Sequence, residues 1–385
     1  MDKLNELFRK TDELEQEYIG FWRDLCEIES PTLYKEGVDE VGRTVAEKAK
    51  SYGFEIERHP FEKAGDCYTI TMNPEAAKKP IVLSAHMDTV HQLGSFSSPR
   101  TRIEGDKLYG PGVTDDKGGL ACALYAMAVL KEIGFRERPV KFILQCDEEA
   151  ASSTSELKSI DYMYEKSRDC LCFFNLEWYR YGQAILWRKG CFQATVKVHG
   201  LSYHDSRCFL GHSAIRQASR MINELEEYKD PEGITCNVAL IKGGQYKTSV
   251  PDYCEFSFSV NYMTKGQYDE IMEKIHDLCE KPYVEGTSCE IEFTAAFPNM
   301  EKKDDAFEIL EKMNRIYEKA GMRRIEATWS HGGSDASRMA QMGITTIDSF
   351  GVHGTKIHTP EEEADLSSLK DAARRLAAVI MYIED

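Results

Sequence analysis

The sequence predicts an α/β protein: a mostly parallel sheet with helices on both faces, interrupted by a smaller inserted α+β module. Three observations predict it. Short apolar runs rich in β-branched residues alternate with helical patterns in both outer parts of the chain, as in strand–helix–strand units. Between them, residues 188–297 read β-α-β-β-α-β. The chain has 385 residues, enough for more than one domain at roughly 100–200 residues each.

The N-terminal stretch reads as two helices broken at Glu29-Ser30-Pro31-Thr32, because proline disfavours helix in the residue before it. FEIERHP (54–60) and DCYTITM (66–72) alternate as strands do. KPIVLSAH (79–86), PVKFILQC (139–146) and CLCFFNL (170–176) are buried strands. Asp115 to Gly134 is a helix with an acidic start and a closing glycine. CFQATVKVHG (191–200) opens the inserted module. A helix over 212–228, strands TCNVALIKGG and DYCEFSFSVNYM, a helix over 266–281 and strand SCEIEFTAAF (288–297) complete it. That order is the split βαβ unit of ferredoxin-like folds. The expected division is therefore a discontinuous catalytic domain, 1–187 and 298–385, around an insert at 188–297. Beyond Pro298, Asp304–Gly321 reads as a helix, GITTIDSF (343–350) as a buried strand, and Thr359 onward as the last helix. Thr359, Pro360 and Glu362 fit the N-cap, N1 and N3 positions of a capping box.

Composition narrows the function. Hydrophobic residues at 42% and charged residues at 29% are ordinary for a globular protein and exclude wholesale disorder. Acidic side chains outnumber basic ones, 65 to 48, for a net charge of −17. That balance argues against nucleic acid or an anionic membrane as the main partner. The twelve cysteines are scattered, without a C-x-x-C pair or zinc-ribbon spacing. The start, MDKLNELFRKTDELEQEY, is a charged helical pattern rather than a signal peptide, and no apolar run nears membrane-spanning length. Free thiols without an export signal predict a cytoplasmic protein.

The chemistry is expected where buried strands end, since open α/β sheets bind ligands at the carboxyl ends of their strands. Strand 79–86 runs into His86-Met87-Asp88, strand 139–146 into Asp147-Glu148-Glu149, and strand 170–176 into Glu177. His353 and His358 follow strand 343–350, and Asp115 opens the helix after GPGVT. Each piece alone has an ordinary structural explanation. An H-x-D triplet is common, an acidic pair after a strand suits a helix N-terminus, Glu177 fits a surface loop, and His358 fits the approach to a helix cap. Their joint placement suits a two-metal site. Imidazole and carboxylate ligands favour zinc, with cobalt or manganese as alternatives. A carboxylate bridges two ions, and another must stay available as general base.

SAHMDTV, GPGVTDDKGG, DEEAASS, the glutamate of NLEW and the histidine of IHTPEE occur in a familiar order. Together they resemble the dinuclear zinc metallohydrolases that include carboxypeptidase G, acetylornithine deacetylase, succinyl-diaminopimelate desuccinylase, aminoacylase and peptidase T. The resemblance covers essentially the whole chain. It implies that His86, Asp115 and Glu177 hold one metal, and that Asp115, Glu149 and His358 hold the other. Asp88 is then the residue that orients His86. The Asp115–Asp116 link matches the family's cis peptide. Glu148 matches the general base that activates the metal-bound water. HGLSYHDSRCFLGHSA resembles the segment carrying the family's lid histidine, here His204, which holds the developing oxyanion. The insert would be a lid and dimerisation domain, making the protein a homodimer.

Departures from the family bear on substrate. Family members carry N-V-x-P-D and then D-x-R, whose asparagine and arginine grip a substrate carboxylate. Thr248 and Asn261 stand at those places, and asparagine lacks a guanidinium's bidentate, charged grip. Arg207 and Lys247 are nearby cations. The glycine common after the two glutamates is absent from DEEAASS. Gly333 and Ser334 lie in a loop resembling the family's glycine-rich substrate loop, and His331 and His353 are further imidazoles for the pocket. The leading expectation is a metal-dependent hydrolase of amide bonds in short peptides or N-acyl amino acids. The alternative is a non-catalytic or altered-specificity homologue that binds a ligand lacking a free α-carboxylate. A serine hydrolase built on Ser334, Asp335 and His331 is disfavoured, because G-G-S-D-A is not the G-x-S-x-G elbow.

Overall fold

The structure, a computed structural model, describes residues 2–385. The chain forms two compact units: Met1–Leu186 with Lys302–Trp329 and Arg338–Asp385, and Trp187–Glu301 with Ser330–Ser337.

The first unit is built on a six-stranded sheet. In spatial order its strands are Glu55–His59, Cys67–Met72, Val140–Gln145, Ile81–His86, Cys172–Asn175 and Thr346–Ile347. The sheet is mixed, which corrects the mostly parallel sheet expected. The last four strands are parallel to one another, whereas Glu55–His59 and Cys67–Met72 are joined antiparallel. The misreading has a physical cause. The alternation of DCYTITM marks a strand but not its direction, which is set by its antiparallel pairing with Glu55–His59 and Val140–Gln145. Helix Lys117–Glu132 is buried from Lys117 through Leu130, consistent with its apolar residues all round. It packs on Asp2–Cys26, on Leu366–Tyr382 and on the central strand Ile81–His86.

A second correction concerns the C-terminus. The last helix is Leu366–Tyr382, not a helix from Thr359. Thr359 Oγ1 donates to Lys356 O at 2.7 Å within a turn. Glu363–Asp365 then forms a strand of a small sheet with Lys107–Tyr109, Arg102–Glu104 and Gly354–Thr355. Glu362, read as the N3 glutamate of a cap, is buried elsewhere, as described below.

The second unit contains a four-stranded antiparallel sheet in the order Thr235–Gly243, Tyr253–Tyr262, Gly190–His199, Ser288–Phe297. Strand Tyr253–Tyr262 alternates buried with half-buried positions. Its buried Cys254, Phe256, Phe258 and Val260 join Ala214, Ala218, Met221 and Leu225 of helix Ala214–Leu225 and Ile271, Ile275 and Leu278 of helix Lys265–Glu280 in one core. A capping box lies here, at Thr264 and Gln267. Segment Ser330–Ser337, expected with the catalytic domain, groups with this unit. Lys189 N donates to Ser330 O at 3.0 Å, Arg188 Nη1 donates to Gly332 O at 2.9 Å, and Gly333 leaves no room for a Cβ against the Phe297 ring.

Candidate metal centre

Three parallel strands deliver the candidate ligands to one edge of the first unit's sheet. His86 ends Ile81–His86. Glu148 and Glu149 form a short 3-10 turn just beyond Val140–Gln145. Glu177 lies just beyond Cys172–Asn175. Asp115 comes from the loop before helix Lys117–Glu132, and its peptide bond to Asp116 is cis. His358 arrives on a loop residue with φ of 62°.

Asp115 sits between two imidazoles. Its Oδ1 is 3.0 Å from His86 Nε2, and its Oδ2 is 3.0 Å from His358 Nε2. His358 Nε2 also lies 3.2 Å from Glu149 Oε2, and Glu177 Oε1 is 3.9 Å from His86 Nε2. Two clusters have donor atoms all within 4.8 Å of one another: His86, Asp115 and Glu149, and His86, Glu148 and Glu177. All of these residues belong to the first unit.

Asp88 organises the cluster from beneath. It is fully buried. Its Oδ1 accepts from Glu148 N and its Oδ2 from Glu149 N, each at 3.2 Å. Thr32 Oγ1 donates to it at 2.7 Å, and His86 Nδ1 faces its Oδ1 at 3.2 Å and its backbone oxygen at 3.0 Å. One carboxylate thus orients His86 and fixes the turn that carries Glu148 and Glu149. Asp147 turns away, accepting from Ser159 Oγ and Ser155 N.

The loop over Gly110–Asp116 is held just as firmly. Glu362 Oε2 accepts from Gly112 N at 3.1 Å, and its Oε1 from Thr114 N at 2.8 Å and Asp115 N at 3.0 Å. Gly112 has φ of 71°, the left-handed region that glycine enters without a Cβ clash. Gly119 lies so close to Asp116 Oδ1 and Leu176 O that a Cβ would overlap both. The sequence assigns Thr32, His91 and Glu362 no role in the site. His91 lies within H-x-D-x-x-H, a spacing that in hindsight marks it. Glu362 had no local signal beyond the cap pattern.

The electrostatics are those of crowded carboxylates sharing protons. At His86 burial opposes the charged imidazole, but hydrogen bonds to Asp115 and Asp88 outweigh it and hold the ring well above the ordinary histidine range. Hydrogen bonds to Asp115 and Glu149 raise His358 to about 10. Burial disfavours ionised Asp115, yet the His358 and His86 hydrogen bonds prevail and hold it below the usual carboxylate range. Burial raises Glu149 and pushes Asp116 well up, with the charges of Glu177 and Asp115 adding to the effect on Asp116.

The remaining candidates are dispersed. His204 lies in the second unit with a 70% exposed side chain, heading the turn Asp205–Leu210, its Nδ1 3.0 Å from Ser206 Oγ. Arg207, Lys247 and Thr248 are exposed in the same unit, and Asp205 N donates to Thr248 O at 3.0 Å. Asn261 is not brought to them. It pairs with Cys191 at one end of the sheet, whereas Thr248 precedes the strand start that pairs at His199, the other end. His331 is exposed, and Ser334 is buried with its Oγ accepting from Ala336 N at 3.1 Å. His353 packs: its Nδ1 is 2.8 Å from Asp365 Oδ2 and its ring stacks on Tyr181 at 4.0 Å. All twelve cysteines are free thiols. No helix among the described residues is long and apolar enough to cross a membrane.

Residues 82–382 match the model of peptidase family M20/M25/M40. The chain is 25% identical to carboxypeptidase G2 of a Pseudomonas species over 385 residues, 98% of this chain and 92% of that protein. It is 23% identical to the succinyl-diaminopimelate desuccinylase of Corynebacterium glutamicum over 314 residues, covering 76% and 78% of the two chains. Its fold resembles the crystal structure of the aminopeptidase PepT of Bacillus cereus, with a TM-score of 0.78 at 22% identity, covering 95% of this chain and 98% of that one.

Proposed function

The chain belongs to peptidase family M20/M25/M40, a family of metallopeptidases and deacylases. From that premise we propose that it is a two-metal hydrolase that cleaves an amide bond in a short peptide or an N-acyl amino acid. One observation carries the proposal: Asp115 presents each carboxylate oxygen, at 3.0 Å, to a different imidazole.

The residues present fit two divalent ions. Glu149 Oε1 is buried and accepts no hydrogen bond from any described residue, so an acceptor is left over for a cation. The donor set is oxygen and imidazole, which suits zinc, with cobalt or manganese as alternatives. His86, Asp115 and Glu177 would hold one ion, and Asp115, Glu149 and His358 the other. Bound there, such ions polarise the scissile carbonyl and acidify water.

The chain's own residues supply the rest. Glu148 takes the proton of the attacking water on a carboxylate oxygen and returns it to the leaving nitrogen, so water and amide become acid and amine. Asp88 holds the Glu148 backbone so that this carboxylate stays in place. His204 donates to the oxyanion that develops on the carbonyl oxygen. The second unit acts as a lid and as the homodimer contact. Exposed Leu240 and Ile241 on strand Thr235–Gly243, the edge of its sheet, support that reading. Sedimentation as a monomer at micromolar concentration would sink it. The protein's twelve free thiols favour a cytoplasmic location, and cell fractionation that recovers the protein outside the cytoplasm would reverse that reading.

The test is hydrolysis of tripeptides, C-terminal glutamate conjugates and N-acyl amino acids, with zinc and with chelator. Turnover should require metal. It should fall about 10²–10⁴-fold in Glu148→Ala, the usual worth of a general base, with metal content unchanged. If metal-loaded wild type and Glu148→Ala are equally inert across the panel, the hydrolase reading fails. A second reading is favoured by Asn261, which is not an arginine and stands apart from Thr248. On that reading the substrate lacks a free α-carboxylate, and C-terminally amidated substrates would be turned over at least as well as free acids.

A further inference from the structure

Glu362 is buried to 1%, bears a carboxylate, and belongs to none of the proposed ligand sets. Its oxygens are nevertheless fully engaged. Oε1 accepts from Thr114 N and Asp115 N, and Oε2 accepts from Gly112 N. His91 Nε2 lies 3.2 Å from the same Oε2. The backbone reinforces the join: Gly110 N donates to Glu362 O at 3.3 Å, and Thr114 Oγ1 donates to Glu363 O at 3.0 Å.

Glu362 and its partners come from three separate loops. His91 follows His86 and Asp88. Gly112, Thr114 and Asp115 form the loop that presents the candidate bridging carboxylate. Glu362 itself follows His358 on the third loop. A buried backbone N–H without a partner is costly, and here three N–H groups of one short loop point at a single side chain. Among the described residues these three amides donate to no backbone carbonyl, so the loop's shape depends on that side chain.

We infer that Glu362 is a positioning residue for the metal centre: by accepting the Gly112, Thr114 and Asp115 amides it sets the direction of the Asp115 carboxylate and ties it to the His358 loop. The inference rests on the two-metal reading proposed above. Glutamine is a sharp probe of it. Its carbonyl oxygen still accepts from Thr114 N and Asp115 N, but its amide nitrogen then faces the Gly112 N–H, donor against donor. Losing a partner that orients a ligand typically weakens metal binding 10–100-fold.

The experiment titrates cobalt into chelator-stripped wild type and Glu362→Gln, following the visible absorption of the bound ion and the heat of binding, with near-UV circular dichroism to establish the fold. The expected result is a folded Glu362→Gln variant whose cobalt Kd is raised about 10–100-fold and whose absorption spectrum is altered, because the Asp115 oxygens are re-aimed. His91→Gln, which removes one contact and no backbone acceptor, should change Kd less. A folded Glu362→Gln protein with the wild-type Kd and spectrum overturns the inference. Wild type that takes up no cobalt overturns the two-metal reading itself, a distinguishable outcome. If Glu362→Gln does not fold, Glu362→Asp carries the same test, since it keeps the charge but falls one methylene short of the amides.

Discussion

Replacing Asp115 by alanine should remove most of the stabilisation by metal. The residue is 6% exposed and its two carboxylate oxygens serve two different imidazoles. Removing it takes a ligand from each proposed ion at once. Losing an outer partner of a ligand costs about 10–100-fold in affinity, so 100-fold is a floor for losing the bridging ligand. A ligand present at 100 times its Kd stabilises the folded state by about 2.7 kcal/mol, and raising Kd 100-fold leaves about 0.4 kcal/mol. At about 2–4 °C per kcal/mol for a domain of this size, a zinc-induced rise of about 5–10 °C in wild type should shrink to about 1 °C. Differential scanning fluorimetry on chelator-stripped protein measures the shift, and elemental analysis after desalting counts the ions retained. An Asp115→Ala protein with the wild-type zinc shift and full metal content would refute the bridging role and the proposal built on it.

Two further predictions concern the fold around the site. Asp66 is buried and accepts from Lys35 Nζ at 2.5 Å, Arg58 Nε at 2.6 Å and Phe61 N at 3.2 Å. Burial disfavours its charge, but the Lys35 and Arg58 hydrogen bonds prevail and lower its pKa. A depressed carboxylate pKa stabilises the folded state above the unfolded value near 3.9 and loses that contribution as pH falls through the folded value. Asp66→Asn should therefore cost about 2 kcal/mol at pH 7, discounted because Arg58 is more than half exposed. In urea unfolding the gap to wild type should close in strong acid, and a gap that persists there contradicts the assignment. Ala151 has φ of 51° where glycine is the easier residue. Ala151→Gly should stay within about 1 kcal/mol of wild type, whereas Ala151→Val, β-branched at positive φ, should cost about 2 kcal/mol or more. Equal thermal stability of the two variants would remove the strain argument.

The parts of this fold that were legible in the sequence are those whose signal is local. Ile81–His86 is apolar over consecutive positions and ends in a histidine, so the run, its burial and its exit toward the ligand edge could be read together. The same holds for Val140–Gln145 and Cys172–Asn175. Strand direction is not local. Cys67–Met72 and Ile81–His86 are both almost fully buried, yet one runs antiparallel to Val140–Gln145 and the other parallel. Connectivity decides between them, and a loop's path is weakly encoded. Gly354–Thr355 and Glu363–Asp365 are too short for a period to register.

Glu362 shows why a correct local pattern can mislead. Thr-Pro-Glu-Glu satisfies the chemistry of a helix start: a hydroxyl acceptor, a residue without an N–H, and a carboxylate placed to reach back. Whether it becomes one depends on which unsatisfied amides compete for the carboxylate. A helix offers the N-cap amide, part-solvated and replaceable by water. The Gly112–Asp115 loop offers three amides buried beside the candidate metal site, at separations of 247–250 positions in sequence. The buried donors win because an unmet buried N–H costs more than an exposed one. The helix accordingly starts at Leu366, where Asp365 is the N-cap residue but contributes no side-chain cap bond. The net charge of −17 belongs to the same argument. Part of it is Asp88, Asp115, Glu148, Glu149, Glu177 and Glu362, gathered at one sheet edge at a cost in mutual repulsion. Backbone amides relieve that repulsion at Asp88 and Glu362, and imidazoles relieve it at Asp115. Divalent cations would relieve what remains at Glu149 and Glu177, which is why a fold able to bury a surplus of carboxylates here reads as one selected to hold metal.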